Sequence, residues 1–331
     1  MQCVRDGFEV IYRSLLSALL IEGACPHGSI IDAGAQKGHE SCLFAESAPQ
    51  RLVHALDPSI VNVELIQSRY GDRKNLRPML GALADRPAQG LKDQGPNRQV
   101  QHIHTQLRRH HVLQNTTTFD VFTVDGLFGT AGAWQHESLG MMHLDVEGSE
   151  LSVIQGALNT LKQYQPVVGT ELNIHLDLHT SAALLNKLAS LGYVSFLVEE
   201  VCGVQMDCRN LIHVHRHQLP RFVRSPAFNL VLNSGVAFRV DANSIGNYGF
   251  PCCRAGGECC LHGRGHPRCC GEMIVRKWVR ERMPNSTAST GELRGQGIFL
   301  RETPLFFGGS GSVNHLWREL LSLSKNWRTH V

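Results

Sequence analysis

Between Ser29 and His215 the chain switches repeatedly between short β-type apolar runs and longer stretches of helical spacing, and that alternation leaves few folds open. "SIIDAG" reads as a buried strand, "HESCLFAESA" as a helix, "RLVHALDP" as a strand and "SIVNVELIQSRYG" as a helix stopped by Gly71. "NLRPMLGALAD" is a third strand, less clean because Pro78 interrupts it. After a polar stretch from Arg86 to about His111, read as an insertion or long loop, "FDVFTVDGLF" suggests a strand outside the main alternation. "MMHLDV" resumes the pattern as a strand and "SELSVIQGALNTLKQY" as one helix, followed by strand "PVVGTELNI", helix "SAALLNKLASLG", and strands "YVSFLVEE" and "NLIHVHR". Such βα alternation predicts an α/β fold with a doubly wound, mostly parallel sheet. Ligands of such sheets bind at the carboxyl ends of the strands, near the topological switch point.

The flanks differ from this middle. "VIYRSLLSALLI", Val10 to Ile21, predicts an amphipathic helix with Ile11, Leu15, Ala18 and Leu19 on one face. Arg13 interrupts it and Asp6 and Glu9 precede it, a poor signal peptide, and no run reaches the length of a membrane span. Beyond about Leu219 the pattern dissolves. Residues 219–331 hold 15 Lys/Arg against 7 Asp/Glu, leaving 17 against 22 for residues 1–218. The expected organisation is an N-terminal helical segment at 1–28, the α/β domain at 29–218 and an irregular, basic, Cys-rich C-terminal extension at 219–331.

Of the eleven cysteines, Cys252, Cys253, Cys259, Cys260, Cys269 and Cys270 form three adjacent pairs near His262 and His266. Thiolates and imidazoles are zinc ligands, but adjacent pairs are not the spacing that grips one ion. A zinc site, disulfides and a biased segment stay open as readings. The scattered thiols of the α/β part predict a reduced, cytoplasmic protein. The basic tail has no aromatic platform or motif of a nucleic-acid binder.

Three acids sit where the first, second and fourth strands of the alternation end: Asp32 in "IDAGAQKG", Asp57 in "ALDP" and Asp145 in "LDVEGSE". Gly34 permits a sharp turn and Gly38 a close approach of helix to strand, while an acid after the second strand is placed to hold a ribose diol. A pyrophosphate is repelled by carboxylates at that turn, whereas S-adenosyl-L-methionine carries a sulfonium and an ammonium and no phosphate. Asp145 and Glu147, two residues apart, point to one side of the cleft if the strand runs that far. Ser149 then reads as the N-cap of the next helix, with Glu150 favourable in its first turn. Glu171 ends the following strand, and His175, four residues on, is a candidate base. The oxygens of Asp145, Glu147 and Glu171 suit a divalent ion, but nothing in their spacing requires one.

In order along residues 25–216, "IDAGAQKGHES", "HALDPS", "GALAD", "FTVDGLF", "LDVEGSELSVIQGALNTLKQYQPVVGTEL" and "RNLIHV" resemble the FkbM family of S-adenosylmethionine-dependent methyltransferases. The resemblance implies a Rossmann-like class I methyltransferase fold with a seven-stranded sheet. It implies that Asp32, Gly34, Ala35 and Gly38 form the cofactor loop, that Asp57 holds the ribose, that Ala84 and Asp85 lie near the adenine, and that Asp145 lies beside the methionine end. Gln36 and Asp57 depart from the family pattern, which commonly has Asn and Glu there. The implied reaction is O-methylation of a hydroxyl; the acceptor is read as a small molecule, glycan or lipid, and position along the strand ends makes Asp145, Glu147, Glu171 and His175 the residues near the chemistry. An NAD(P)-dependent oxidoreductase is the other enzymatic reading, against which stands the absence of GxGxxG, and a non-catalytic cofactor-binding module is the third.

Overall fold

Ser29–Ala33 forms strand β1, buried at every position, and the main sheet is laid down on both sides of it. The structure is a computed structural model that describes residues 3, 10–92, 118–172, 178–198, 210–233 and 237–243. On one side of β1 lie β2 (Val53–Asp57) and β3 (Leu76–Leu80), and on the other β7 (Leu139–Leu144) and β8 (Val167–Glu171), all parallel. Next to β8 the antiparallel β10 (Asn210–His215) is inserted, then β9 (Tyr193–Val198), and β11 (Ala237–Val240) closes that edge antiparallel to β9. The expected doubly wound, mostly parallel sheet is therefore present, with eight strands in the order β11-β9-β10-β8-β7-β1-β2-β3 where seven were expected.

Nine helices are described: α1 (Val10–Ile21), α2 (His39–Ser47), α3 (Ile60–Tyr70), α4 (Val124–Phe128), α5 (Glu150–Gln155), α6 (Leu158–Tyr164), α7 (Leu178–Ser190), α8 (Leu219–Phe222) and α9 (Pro226–Asn233). They sort the core into two layers, one per sheet face. Ile30, Val53, Met141 and Ile212 pack with Leu15, Phe44 and Phe228, while Ile31, Leu56, Met142 and Leu197 pack with Ile154, Leu161 and Leu188. Successive residues of a strand serve opposite layers, which is why "MMHL" needs no polar alternation.

Several expectations change. Pro78 is accommodated because β3 is the edge strand, where a missing N–H costs least. "FDVFTVDGLF" does lie outside the main alternation: β6 (Thr118–Phe122) joins β4 (Ala82–Leu83) and β5 (Ala88–Lys92) in a separate three-stranded sheet. The helix read from Ser149 to Tyr164 is two helices, α5 and α6, because Asp125 takes the hydrogen bonds that would join them: its amide donates to the Gly156 carbonyl at 2.8 Å, and its carboxylate accepts the Asn159 and Thr160 amides at 3.0 and 2.8 Å. In α1 the burial is not one-sided, for Tyr12, Leu16 and Leu20 are buried along with Ile11, Leu15, Ala18 and Leu19. The cause is α9, which covers α1 from a region read as irregular; regular structure runs on past Leu219 through α8, α9 and β11. Cys3 and Cys42 form a disulfide, contrary to the reading of wholly reduced thiols, whereas Cys25 is a buried free thiol. The Cys252–Cys270 cluster lies outside the described residues. Among the described residues no helix is long and apolar enough to cross a membrane.

Candidate active site

The chain leaves β1 toward β2 and β3 on one side and returns through β7 and β8 on the other, so the switch point falls between β1 and β7. Register aligns the strand ends there: Ala33 faces Leu56 and Leu144, and Leu144 faces Thr170. Gly34, Asp57, Asp145 and Glu171 therefore emerge from neighbouring strands along one rim. The loop after β1 is stitched to both neighbours. The Gly34 and Ala35 amides donate to the Leu56 carbonyl at 3.0 Å, and the Asp145 amide donates to the Ala33 carbonyl at 3.0 Å.

Two glycines make this loop possible. Gly34 has φ +81°, and a Cβ on it would stand 1.8 Å from the Asp145 carbonyl oxygen. Gly38 has φ +76° just before α2, and its Cβ would come within 2.8 Å of the Ile66 side chain on α3. Between them Gln36, itself at φ +45°, donates its amide to Asp57 Oδ2 at 2.8 Å. Asp57 Oδ1 accepts from the Ser59 amide and from Asn62 Nδ2, both at 2.9 Å. The carboxylate after β2 thus joins the tip of the glycine loop to the start of α3.

Asp32 sits deeper than the sequence suggests. It is 1% exposed, accepts a hydrogen bond from the Ser41 hydroxyl, and its Oδ1 lies 2.8 Å from His143 Nδ1. It underlies the loop and faces the layer beneath α1 and α2, so it acts on the cleft through the loop. Ala84 and Asp85 are latched to α5: the Asp85 amide donates to Ser152 Oγ at 3.0 Å, and the Ser152 hydroxyl donates to Asp85 Oδ1 at 2.9 Å.

At the other wall Asp145 is half-buried and Glu147 exposed. The expectation that alternation aims both to one side does not hold, because the strand stops at Leu144 and the chain turns through positive φ at Glu147 (+52°) and Gly148 (+92°). Ser149 occupies the N-cap position without a side-chain hydrogen bond to the helix. The brace is Glu150, buried, whose Oε1 accepts the Val146 and Gly148 amides at 3.2 Å each. Burial pushes its carboxyl up to about 7 despite those amides. Glu171 is half-buried at the end of β8, and His175 lies outside the described residues. Asp145, Glu147 and Glu171 do not gather as ligands of one ion.

Sequence reasoning missed His143. Inside "MMHL" it is a polar residue in a strand buried at every position, which requires a buried partner, and Asp32 is its in-register neighbour. It also missed Ser41 and Ser152, whose hydroxyls only tertiary contact brings to Asp32 and Asp85.

Residues 32–195 match the family model of the methyltransferase FkbM domain. Among solved structures the chain is similar to the methyltransferase FkbM from Methylobacillus flagellatus KT, at 16% identity over 57% of this chain and 43% of that one, with a TM-score of 0.38. It is also similar to fibrillarin from Aeropyrum pernix in complex with S-adenosyl-L-methionine, at 14% identity over 62% and 75% of the two chains, TM-score 0.34. A third is precorrin-6y C5,15-methyltransferase from Geobacter metallireducens GS-15, at 10% identity over 60% and 86%, TM-score 0.35. The chain thus spans under half the length of the first of these. Comparison with curated proteins gives no match. The matched stretch, residues 32–195, contains the glycine loop and the rim acids and is an FkbM methyltransferase domain.

Proposed function

We propose that this protein is an S-adenosylmethionine-dependent methyltransferase acting on a hydroxyl of a small molecule, glycan or lipid. The observation that carries the reading is the contact of Gly34 with the Asp145 backbone at the switch point, which brings the glycine loop and the acids of two further strands to one cleft. That cleft is lined by carboxylates, which favour a donor bearing a sulfonium and an ammonium and disfavour a pyrophosphate.

When bound, S-adenosylmethionine supplies a methyl group that a nucleophilic oxygen takes in line, with the C–S electron pair returning to sulfur. The chain's own residues do the rest. Gly34, Ala35 and Gly38 would form the loop that holds the donor, and Asp57 would hold the ribose hydroxyls. Ala84 and Asp85 would flank the adenine, and Asp145 would take the ammonium. Because charge is neutralised in this transfer, catalysis rests on positioning the acceptor and removing its proton. Glu147, Glu171 and His175 are the candidates for that proton transfer.

Isothermal titration tests the donor. S-adenosylhomocysteine should bind, NAD should not, and Asp57→Ala and Asp57→Asn, checked for folding by circular dichroism, should each weaken binding by about tenfold, equal to 1.4 kcal/mol. Binding of NAD in place of S-adenosylhomocysteine, or folded Asp57 variants that bind like the parent, would overturn the reading. Transfer of a radiolabelled methyl group into fractionated cell extract then identifies the acceptor.

A further inference from the structure

The glycine loop is held at both ends by one buried charged cluster. Asp32 precedes the loop and Ser41 follows it, and the Ser41 hydroxyl donates directly to Asp32, so the segment between them is closed by a side-chain clamp. The remaining Asp32 oxygen is taken by His143 at 2.8 Å, from the neighbouring strand. One residue before Ser41, Glu40 pairs with Arg13 of α1 at 2.5 Å.

The imidazole of His143 is enclosed. The Phe44 ring stands edge-on at 5.6 Å between centroids, and Tyr12 is tilted over it at 5.9 Å. Gly169 of β8 makes the space: a Cβ there would lie 2.4 Å from the Tyr12 hydroxyl and 3.5 Å from His143 Cδ2. The charged and titratable groups around the ring are Asp32 from β1, Glu40 from α2, Arg13 and Tyr12 from α1, and Asp145 two residues further along its own chain. Burial by itself depresses the imidazole's pKa, but the hydrogen bond and charge of Asp32, with Glu40 and Asp145 behind it, hold it up at about 9. His143 is therefore a cation in a layer of side chains where a lone charge would be expensive.

A buried ion pair need do no more than satisfy itself. The location says otherwise. The anion it fixes is the residue that clamps the loop, and the strand it stands on continues into Asp145, whose amide and carbonyl are the loop's contacts on that side. We infer that His143 is a positioning residue for the methyl donor: it fixes Asp32, through Asp32 it fixes Ser41, and so it sets the shape of the Gly34–Gly38 loop without touching the ligand. This rests on the assignment of that loop to S-adenosylmethionine.

The test compares His143→Leu, His143→Asn and Ser41→Ala with the parent, by calorimetric titration of S-adenosylhomocysteine and by hydrogen exchange at the Gly34, Ala35 and Gln36 amides. Asn can present an N–H where Nδ1 stands, so His143→Asn should bind within about threefold of the parent, while His143→Leu should lose about tenfold or more. The three loop amides should exchange faster in His143→Leu and Ser41→Ala but not in His143→Asn. If His143→Leu does not fold, Ser41→Ala cuts the same clamp and should weaken binding several-fold. Parent-like affinity and parent-like loop exchange in folded His143→Leu or in Ser41→Ala would overturn the inference. If the parent binds no S-adenosylhomocysteine, the donor assignment fails instead, and the loop amides still decide whether His143 holds the loop.

Discussion

Replacing Gly34 by alanine and, separately, Gly148 by alanine isolates the close approach at the centre of the site. Both residues have a positive φ, +81° and +92°, so both substitutions place an L side chain in an unfavourable backbone region. That strain costs about 1–2 kcal/mol, offset by about 0.4–1 kcal/mol because alanine stiffens the unfolded chain. For Gly148→Ala nothing else is added, since among the described residues no atom beyond its chain neighbours lies within 4 Å of the new methyl. For Gly34→Ala the methyl would sit 1.8 Å from the Asp145 carbonyl oxygen, where an ordinary C···O contact is about 3.3 Å. Backbone must therefore move by about 1.5 Å between two central parallel strands, and overpacking of this kind costs about 1–3 kcal/mol, here near the top because no flexible side chain can yield. At about 2–4 °C per kcal/mol for a domain of this size, Gly148→Ala should melt about 3 °C below the parent and Gly34→Ala about 10 °C below it. Differential scanning calorimetry measures both, and titration with S-adenosylhomocysteine should show binding lost only in Gly34→Ala. Equal melting losses and equal affinities in the two variants would refute the claim that contact with the Asp145 backbone fixes the loop.

Other expectations follow from the buried titratable groups. Glu150 has its carboxyl raised to about 7 from 4.5 by burial, so the folded state holds the extra proton and stability falls as pH rises from 4.5 to 7; Glu150→Gln should flatten that part of a urea-midpoint profile. His143, held at about 9 against 6.5, contributes about 3 kcal/mol that is fully present below pH 6.5 and lost as pH rises through 9, so the parent should lose more stability than His143→Asn over that interval. His213 bridges Thr170 at 2.9 Å and Ser195 at 2.7 Å, and burial lowers its pKa to about 3. Its contribution is full above pH 6.5 and is lost as pH falls toward 3, and His213→Gln should make the acid limb of a thermal-unfolding series less steep.

The fold was legible wherever hydrophobic spacing carries the signal. Strands β1, β2, β7 and β8 and helices α2 and α3 follow from runs such as "SIIDAG" and "RLVHALDP", since a parallel sheet covered on both faces needs unbroken apolar segments. Contacts distant in sequence were not legible. A helix breaks at Gly156 because Asp125 takes the hydrogen bonds that would continue it, and α1 is buried on more than one face because Phe222 and Phe228, some two hundred residues later, return to cover it. In the site, the acids at the strand ends could be found from position alone, but their assignments could not. Asp32 and Asp57 both end strands, yet one is sealed beneath the loop and the other joins its tip. Glu147 was misjudged because alternation was extended one turn beyond the strand that generates it.

Strand β11 protects its neighbour as well as widening the sheet. The segment it covers, "YVSFLV" at Tyr193–Val198, is six uncharged residues of high β-propensity without proline or glycine, the composition from which intermolecular cross-β stacks are built. Phe228 of α9 meets Phe196 of that same segment edge-on at 5.0 Å. A chain ending at residue 218 should scatter light and bind thioflavin, while one extended to residue 243 should stay monodisperse, because the last described stretch acts as a built-in guard against self-templating.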